Sequence, residues 1–348
     1  MNDPEPDRSN DGHSRSLIAG LDESLSNLRR LRDRTRTCAL ITSGAIIALT
    51  VGLSLLVAVF CRDFLMIVAM PGIVLACVAY TLMMRGVKLQ YKKLVVPSLL
   101  KDIDPGLAYN PDGCIPKTDF RNSKIFSKRI DTYHGEDLVY GSYKGIPVRF
   151  SELTVQEAHH NGKTTTYETF FKGVFLIADF NKEFKFRHWV LPDTAEAAFG
   201  QVVGNFLQKL HLPGRGHMTR LENPAFEKKF VVYTEDDVEA RYILSPKLMH
   251  TMLNLSGNFR KGVSHIAFAF MDSNVYVAIP IAGNRDLFEM PSRGDLGEEA
   301  ARRTQAELKE ILSVFDVLEL DRRLWSKDKP RSVRPEDVLS RGGRTGLF

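Results

Sequence analysis

The sequence is poor in cysteine, and this excludes a fold stapled by a disulfide framework. It has four cysteines in 348 residues. Cys38, Cys61 and Cys77 lie within or beside two apolar segments, and Cys114 stands alone in a polar region. No pair has the CxxC spacing of a redox or metal site.

Catalytic signatures are also missing. The patterns GxSxG, HExxH and GxGxxG do not occur, and no Cys/His cluster is present. Gly162-Lys163-Thr164 resembles the end of a phosphate-binding loop, but that motif requires glycine where Glu157 stands. His159 and His160 are adjacent, so on an extended chain they point to opposite sides and chelate poorly. We therefore assign no catalytic, cofactor-binding or metal-ligating residue and predict a polar loop at residues 159–164.

Charge is absent from two long apolar runs, residues 38–61 and 64–84, which only Arg62 and Asp63 separate. Each run reaches the roughly 20 residues that a helix needs to cross a bilayer core of about 30 Å. Inside hydrocarbon a helix satisfies its own backbone hydrogen bonds. The sequence therefore predicts a transmembrane helical hairpin over residues 38–84. A helical hairpin buried in a soluble core is the alternative.

Basic residues crowd both outer ends of this hairpin, whereas the tip has one arginine and one aspartate. The basic residues are Arg29, Arg30, Arg32, Arg34, Arg36, Arg85, Lys88, Lys92 and Lys93. An excess of Lys and Arg marks the cytoplasmic side of a membrane helix. We expect a multi-pass membrane protein with both termini, and therefore the large soluble region, in the cytoplasm. Because these cations lie at the ends of the predicted membrane helices, nucleic-acid binding is not expected.

The segment at residues 17–37 has the apolar spacing of an amphipathic, basic helix. It could lie against an anionic leaflet, or it could simply continue the first membrane helix. Small residues recur every four positions, at Gly44, Ala48 and Gly52 in the first run and at Gly72 and Ala76 in the second. We expect both sets to pack inside the hairpin.

The remaining pattern predicts a membrane-anchored α+β protein with antiparallel sheets and packed helices. Tight turns at Lys144-Gly145 and Asp272-Ser273 separate apolar strand segments. Ser245-Pro246 is typical of a helix start, and apolar stripes predict helices over 196–210 and 301–318. The predicted organisation is a disordered N-terminus (1–16), a basic helix (17–37), the hairpin (38–84), a cytoplasmic domain (86–325) and a disordered basic tail (326–348).

Several acidic side chains occur in local groups. Asp131, His134, Glu136 and Asp137 form one group, which could perform acid–base chemistry if it were desolvated. An acid-rich turn before a strand is more often solvated or capping. A second group, residues 235–241, follows a strand and is typical of a turn and a helix start.

A series of motifs in the soluble region resembles a bacterial membrane-protein family of unknown function, domain of unknown function 3137. The motifs lie at 131–141, 150–153, 171–175, 178–181, 227–233 and 239–246. The resemblance extends over residues 88–326. It implies a membrane-anchored cytoplasmic domain without an assigned activity, and a LemA-like membrane protein as a partner.

These observations favour a non-enzymatic binding or scaffolding module. The alternative is a membrane-tethered, hydrolase-like enzyme that uses acids such as Glu136, Asp137 and Glu152. Convergence of these carboxylates in a desolvated site would favour the enzyme.

Overall fold

The computed structural model describes residues 8–60, 65–179, 183–193, 216–258, 266–281, 287–290 and 298–319. The chain forms two compact units: unit 1 comprises Met1–Asp102 and Phe288–Gln305, and unit 2 comprises Ile103–Leu287 and Ala306–Phe348. The described helices are α1 (Arg8–Phe60), α2 (Leu65–Ile103), α3 (Lys117–Asn122), α4 (Pro224–Glu227), α5 (Asp237–Ile243), α6 (Pro246–Asn258) and α7 (Glu298–Glu319). The described strands are β1 (Leu107–Asn110), β2 (Thr132–Tyr143), β3 (Ile146–His160), β4 (Thr165–Asp179), β5 (His188–Pro192), β6 (His217–Thr219), β7 (Phe230–Thr234), β8 (Ala267–Met271) and β9 (Asn274–Pro280).

Unit 1 is built on the antiparallel pair α1 and α2. Ser43 Oγ donates a hydrogen bond to the carbonyl oxygen of Ala76 at 3.1 Å. Seven residues further along α1, Thr50 lies against Gly72, where an added Cβ would approach the threonine Cγ2 to 2.2 Å. A residue later in α1 therefore contacts a residue earlier in α2. The two helices run antiparallel and form the predicted hairpin.

The small residues of the two helices differ in their role. Gly72 and Ala76 are buried between the helices, as predicted, but Gly44, Ala48 and Gly52 are exposed, so the prediction for the first helix is wrong. The buried face of α1 carries Ala39 and Ser54 instead, with Ser43 and Thr50 half-buried. The Ser54 hydroxyl donates a hydrogen bond to the carbonyl oxygen of Thr50 in its own helix at 2.7 Å. Small hydroxyl side chains of this kind let two helices approach closely, as glycine does.

Two stretches of the helices are apolar enough to cross a membrane. They are 18-residue windows within the helical segments Leu25–Leu55 and Met70–Ile103, with mean hydropathies of 2.1 and 1.5 respectively. Only 11% and 22% of the respective apolar windows are buried, whereas the core helix of a soluble protein would be mostly buried. These two helices near the N-terminus therefore suggest membrane association.

Both helices extend beyond the predicted segments. Helix α1 begins at Arg8, so residues 8–16, predicted to be disordered, are helical, and residues 1–7 lie outside the described part of the chain. Propagating a formed helix adds one hydrogen bond for each residue fixed, which favours such extension. Helix α2 continues through Pro71 and Pro97 to Ile103, past the domain start predicted at residue 86.

Tertiary packing explains the continuity of α2 around Pro97. Val95, Val96, Leu99 and Leu100 are fully buried, and burial of an apolar face outweighs the hydrogen bond that a proline removes. The first turns of α7 also belong to unit 1. Gln305 Nε2 of α7 donates to Asp102 Oδ2 at 2.9 Å.

Unit 2 contains one antiparallel sheet, in which nine described strands follow the order β1-β2-β3-β4-β9-β8-β5-β7-β6. The antiparallel α+β class is confirmed, but a single sheet replaces the several that were expected. The pairing of β4 with β9 joins the two halves, for example at Val174 and Ile279. These residues are far apart in sequence, so no local pattern predicts the pairing.

The predicted hairpins β2–β3 and β8–β9 are confirmed, with their turns at Lys144-Gly145 and Asp272-Ser273. Strand β1 has no counterpart among the sequence predictions, because its four residues form a strand only by pairing with β2. One face of the sheet carries the main core cluster, in which Trp189, Phe120 and Phe175 are fully buried. The predicted helix over 196–210 and the tail at 326–348 lie outside the described residues.

Candidate functional site

Three carboxylates come together on strands β2 and β3, and we call them the carboxylate cluster. They belong to Glu136, Asp137 and Glu152, and one oxygen of each lies within 4.8 Å of the others. Glu136 and Glu152 are directly opposite each other in the antiparallel register. Glu136 is exposed, whereas Asp137 and Glu152 are buried.

A β-bulge produces this convergence. The register of β2 and β3 shifts between Glu136 and Val139, and Asp137 has a positive φ of 62°. A bulge re-aims the side chain of the extra residue. The Asp137 side chain is consequently buried beside Glu136, instead of pointing to the opposite face as strand alternation would require. The Asp137 N–H donates to the carbonyl oxygen of Pro111 at 3.1 Å, which holds the bulge.

Each buried carboxylate has a hydrogen-bond donor from a distant segment. The Tyr109 hydroxyl of β1 donates to Asp137 Oδ1. Burial, followed by the charge of Asp137, raises the pKa of the Tyr109 hydroxyl, so the phenol remains a donor at neutral pH. The Leu287 backbone N–H donates to Glu152 Oε2. The two acids therefore tie β1 and Leu287 to strands β2 and β3.

Three carboxylates at this separation repel one another, and a hard cation or a shared proton would offset the repulsion. Oxygen ligands of this kind suit Mg²⁺ or Ca²⁺, which take six or more ligands. The cluster offers three side chains, and the carboxylates of Asp137 and Glu152 already accept hydrogen bonds. Its geometry therefore fits a structural role at least as well as a cation site.

The predicted local group of acids does not assemble as a unit. Asp131 accepts hydrogen bonds from the Ala158 N–H at 2.7 Å and from Arg129 Nε at 3.0 Å, and these bonds lower the pKa of its exposed carboxyl. His134 is also exposed. Only Glu136 and Asp137 meet a third acid, and it comes from the neighbouring strand.

Sequence reasoning missed a buried histidine network at the start of β5. His188 is fully buried, with Nδ1 2.7 Å from Thr234 Oγ1 and Nε2 3.2 Å from Glu239 Oε2. Burial lowers the pKa of His188, although the Glu239 carboxylate opposes the shift. No local signal marks this residue, because a histidine before an apolar strand is typical of many surface positions.

The Glu239 carboxylate anchors the chain that leads into β5. It accepts hydrogen bonds from the backbone N–H groups of Lys185, at 3.2 Å, and Phe186, at 2.9 Å. Its pKa is lowered because these donors and His188 outweigh the effect of burial. Glu239 itself lies on α5, whose start is capped by Asp236 as the acid-rich pattern at 235–241 predicts. The network therefore fixes the junction of β5, β7 and α5.

The adjacent histidines His159 and His160 end β3 rather than lie in the predicted loop, and the turn follows at 161–164. His159 Nε2 is 3.0 Å from Glu168 Oε2, and His160 Nδ1 is 2.8 Å from Thr165 Oγ1. Both are exposed side chains paired across the β3–β4 hairpin. Their separate partners agree with the poor chelation expected from their spacing.

The fold and the sites together define an α+β domain of unknown function that follows two apolar helices. Residues 169–320 match the family model described as "Protein of unknown function (DUF3137)", which confirms the family resemblance over that range. The motifs at 131–141 and 150–153 lie outside the match. The matched range begins in β4 and ends just beyond α7, so it excludes the carboxylate cluster and includes the His188 network.

No curated protein matches the chain significantly in sequence. Among solved structures, the chain is weakly similar to the mycobacterial trehalose monomycolate transport factor A, TtfA. The sequence identity is 11%, the match covers 62% of this chain and 93% of that chain, and the TM-score is 0.29. A TM-score at this level supports no conclusion about fold or function.

Proposed function

We propose that the protein is a membrane-anchored, non-enzymatic binding or scaffolding module of the bacterial inner membrane. The observation that carries this proposal is the exposed apolar surface of α1 and α2. Leu49 is 75% exposed and Ile41 is 65% exposed, and exposing such surface on the apolar parts of both helices to water would be costly. A bilayer removes that cost.

The charge distribution supports an orientation with both termini and unit 2 in the cytoplasm. Arg30 and Arg34 are exposed at the outer end of α1, and Arg85 and Lys88 are exposed at the corresponding part of α2. Basic residues within about 15–20 residues of membrane ends orient a hairpin towards the cytoplasm. The same cations would attract anionic lipids by about 1 kcal/mol each.

A topology experiment tests this orientation. A reporter enzyme that is active only in the periplasm, fused after Phe348, should give no signal. The same reporter inserted between Arg62 and Asp63 should be active and serves as the matched control. A strong signal from the fusion after Phe348 would refute the cytoplasmic orientation.

The family resemblance suggests a LemA-like membrane protein as the partner of the module. Detergent-solubilised full-length protein should co-purify with a defined membrane protein from its native membranes. An unrelated two-span membrane protein that carries the same affinity tag is the control, and it should not recover that partner. Repeated recovery of the chain alone would count against a binding module.

The second candidate is a membrane-tethered, hydrolase-like enzyme, which the convergence of Glu136, Asp137 and Glu152 favours. If the carboxylate cluster binds a catalytic cation, millimolar Mg²⁺ or Ca²⁺ should raise the melting temperature of the wild type. Glu136→Gln should abolish that increase, whereas Glu168→Gln on the β3–β4 hairpin should retain it. A melting temperature that does not respond to either cation favours the module.

A further inference from the structure

A groove runs between α1 and α2 of unit 1, outside the apolar run of each helix. Its volume is about 440 Å³, within the range of pockets that bind small ligands or a few side chains. Three leucines and three polar residues line it: Asn27, Leu28, Leu31, Gln90, Lys93 and Leu94. Leu31 is a large apolar side chain that remains 38% exposed there.

The groove lies too far from the apolar run to hold a membrane lipid. Leu31 precedes Cys38, the first residue of that run, by seven positions, or about 10 Å along a helix. Asn27 lies about 6 Å further out. The head-group layer adds only about 5–8 Å to each side of the hydrocarbon core. The groove therefore faces the aqueous phase just outside the head groups.

Positive charge surrounds the groove. Lys93 lines it, and Arg30 and Arg34 are exposed beside the lining residues of α1, since they follow Asn27 and Leu31 by three positions. Asp33 is an acid beside the lining residues, and Arg32 binds it through Nε at 3.0 Å and a terminal nitrogen at 2.9 Å. The electrostatic complement of the groove is thus an anion.

We propose that this groove docks an acidic amphipathic helix of a partner protein, and the inference rests on the binding module proposed above. Leucines on the floor of the groove would contact the apolar face of that helix, while Lys93 and the arginines would pair with its acidic flank. This is the helix-in-groove mode of recognition, in which apolar residues give affinity and charges give orientation. Unit 1 thereby becomes a docking element as well as an anchor.

The test uses the full chain in detergent and a fluorescent designed helical peptide with leucines on one face and glutamates on both flanks. The control peptide replaces the glutamates by lysines. We expect the acidic peptide to bind at least about tenfold more tightly, because like charges across an interface are strongly disfavoured. Equal binding of the two peptides, or binding of neither, would overturn the proposal.

Two variants locate the binding surface. Lys93→Glu should weaken the acidic peptide about tenfold or more, and Leu31→Glu should do so by removing an apolar contact. Arg85→Glu is the matched control: it reverses one exposed charge on α2 outside the groove and should change affinity less than about threefold. Equal losses of peptide affinity in Lys93→Glu and Arg85→Glu would show that net charge, and not the groove, determines binding, and would overturn the proposal. Circular dichroism must show unchanged helix content in all three variants.

Two further outcomes separate this inference from the proposed function. If a short-chain phosphatidylglycerol displaces the peptide and its own binding depends on Lys93, the groove binds lipid head groups and the inference is wrong. If Lys93→Glu retains the native partner in the co-purification experiment, the module binds elsewhere and only the groove assignment fails. A strong signal from the periplasmic reporter fused after Phe348 would instead refute the proposed function.

Discussion

Buried carboxylates in unit 2 are used as acceptors for backbone and side-chain donors. Glu152 is 4% exposed, and its Oε2 accepts the N–H of Leu287. A buried charge without partners is strongly unfavourable. The free energy lost when this hydrogen bond is broken is therefore larger than the net stability that the bond adds. The acid thus has a structural explanation that does not require catalysis.

Replacing Glu152 tests that explanation. Glu152→Ala should lower the free energy of unfolding by about 1–3 kcal/mol, because the Leu287 N–H loses its acceptor. Glu152→Gln keeps an acceptor and removes a negative charge beside Asp137, so it should cost less than about 1 kcal/mol. Urea unfolding of the detergent-solubilised chain, followed by the fluorescence of the buried Trp189, measures both. Equal losses would show that the charge, and not the acceptor, is required.

His188 gives the protein a pH-dependent stability. Since burial lowers its folded pKa below the ordinary value of 6.5, the unfolded state takes up this proton first as pH falls. Stability should therefore decrease below about pH 6.5, by at most about 1.4 kcal/mol per pH unit from this group. The folded carboxyl of Glu239 also has a lowered pKa, and its contribution should be lost below about pH 4.5.

Unfolding midpoints between pH 7 and pH 5 measure this dependence. His188→Gln should flatten the slope in that range, even if it lowers stability at pH 7. His250→Gln, which changes an exposed histidine of α6, is the matched control variant. A slope that persists in His188→Gln would assign the titration to another group.

At the scale of elements, α1 and α2 of unit 1 approach closely at Gly72. A Cβ at Gly72 would lie 2.2 Å from Thr50, whereas a Cβ at Gly52 would meet nothing within 4 Å. Gly72→Ala should therefore destabilise the α1–α2 pair by about 1–3 kcal/mol, the usual cost of overpacking. Gly52→Ala is the matched control and should be neutral or slightly stabilising.

Proteolysis of the hairpin in detergent, or the rate of disulfide formation between cysteines introduced at positions 43 and 76, reports the contact. Slower crosslinking in Gly72→Ala than in Gly52→Ala is expected. Equal rates would mean that these glycines are equivalent and that the helices pack through another face.

The elements that sequence predicts well are those with local causes. Lys144 and Gly145 have φ values of 49° and 77°, which a two-residue turn of this type requires, and they stand between two apolar strands. Ser245 Oγ accepts from the Leu248 N–H at 3.3 Å, as its position before Pro246 predicts. Strand β1 and helix α3 were missed because both are short and depend on partners elsewhere in the chain.

The candidate sites were predictable only in part, for the same reason. Glu136 and Asp137 stand out as acids before a strand, but their convergence with Glu152 depends on the β2–β3 register and on the bulge. His188 and Glu239 are 51 residues apart. Their meeting depends on the pairing of β5 with β7 and on the position of α5, which no short-range pattern contains.

At the scale of the whole molecule, one substitution separates a membrane setting from an aqueous one. Leu49→Arg places a charge near the middle of the apolar run of α1, on a side chain that is 75% exposed. In a bilayer this should cost about 2.5–3.5 kcal/mol of insertion free energy. In water, the same change would be harmless.

The measurement is the fraction of protein that resists alkaline carbonate extraction from membranes. We expect Leu49→Arg to lower this fraction, and Thr37→Arg, at the exposed basic end of α1, to leave it unchanged. Full retention of Leu49→Arg would contradict the proposal that this face contacts lipid.

The order of the strands in the sheet also determines when each strand can pair during translation. Strands β1 to β4 pair in sequence and can form once residue 179 has been made, but the partner of β4 is β9, which ends at Pro280. At about 5–20 residues per second, the next 101 residues take roughly 5–20 s. During that interval the edge of β4 that will meet β9 has no strand to pair with, and an open edge invites pairing with other chains. The nascent chain is therefore most exposed to aggregation midway through translation, when a chaperone would protect it most.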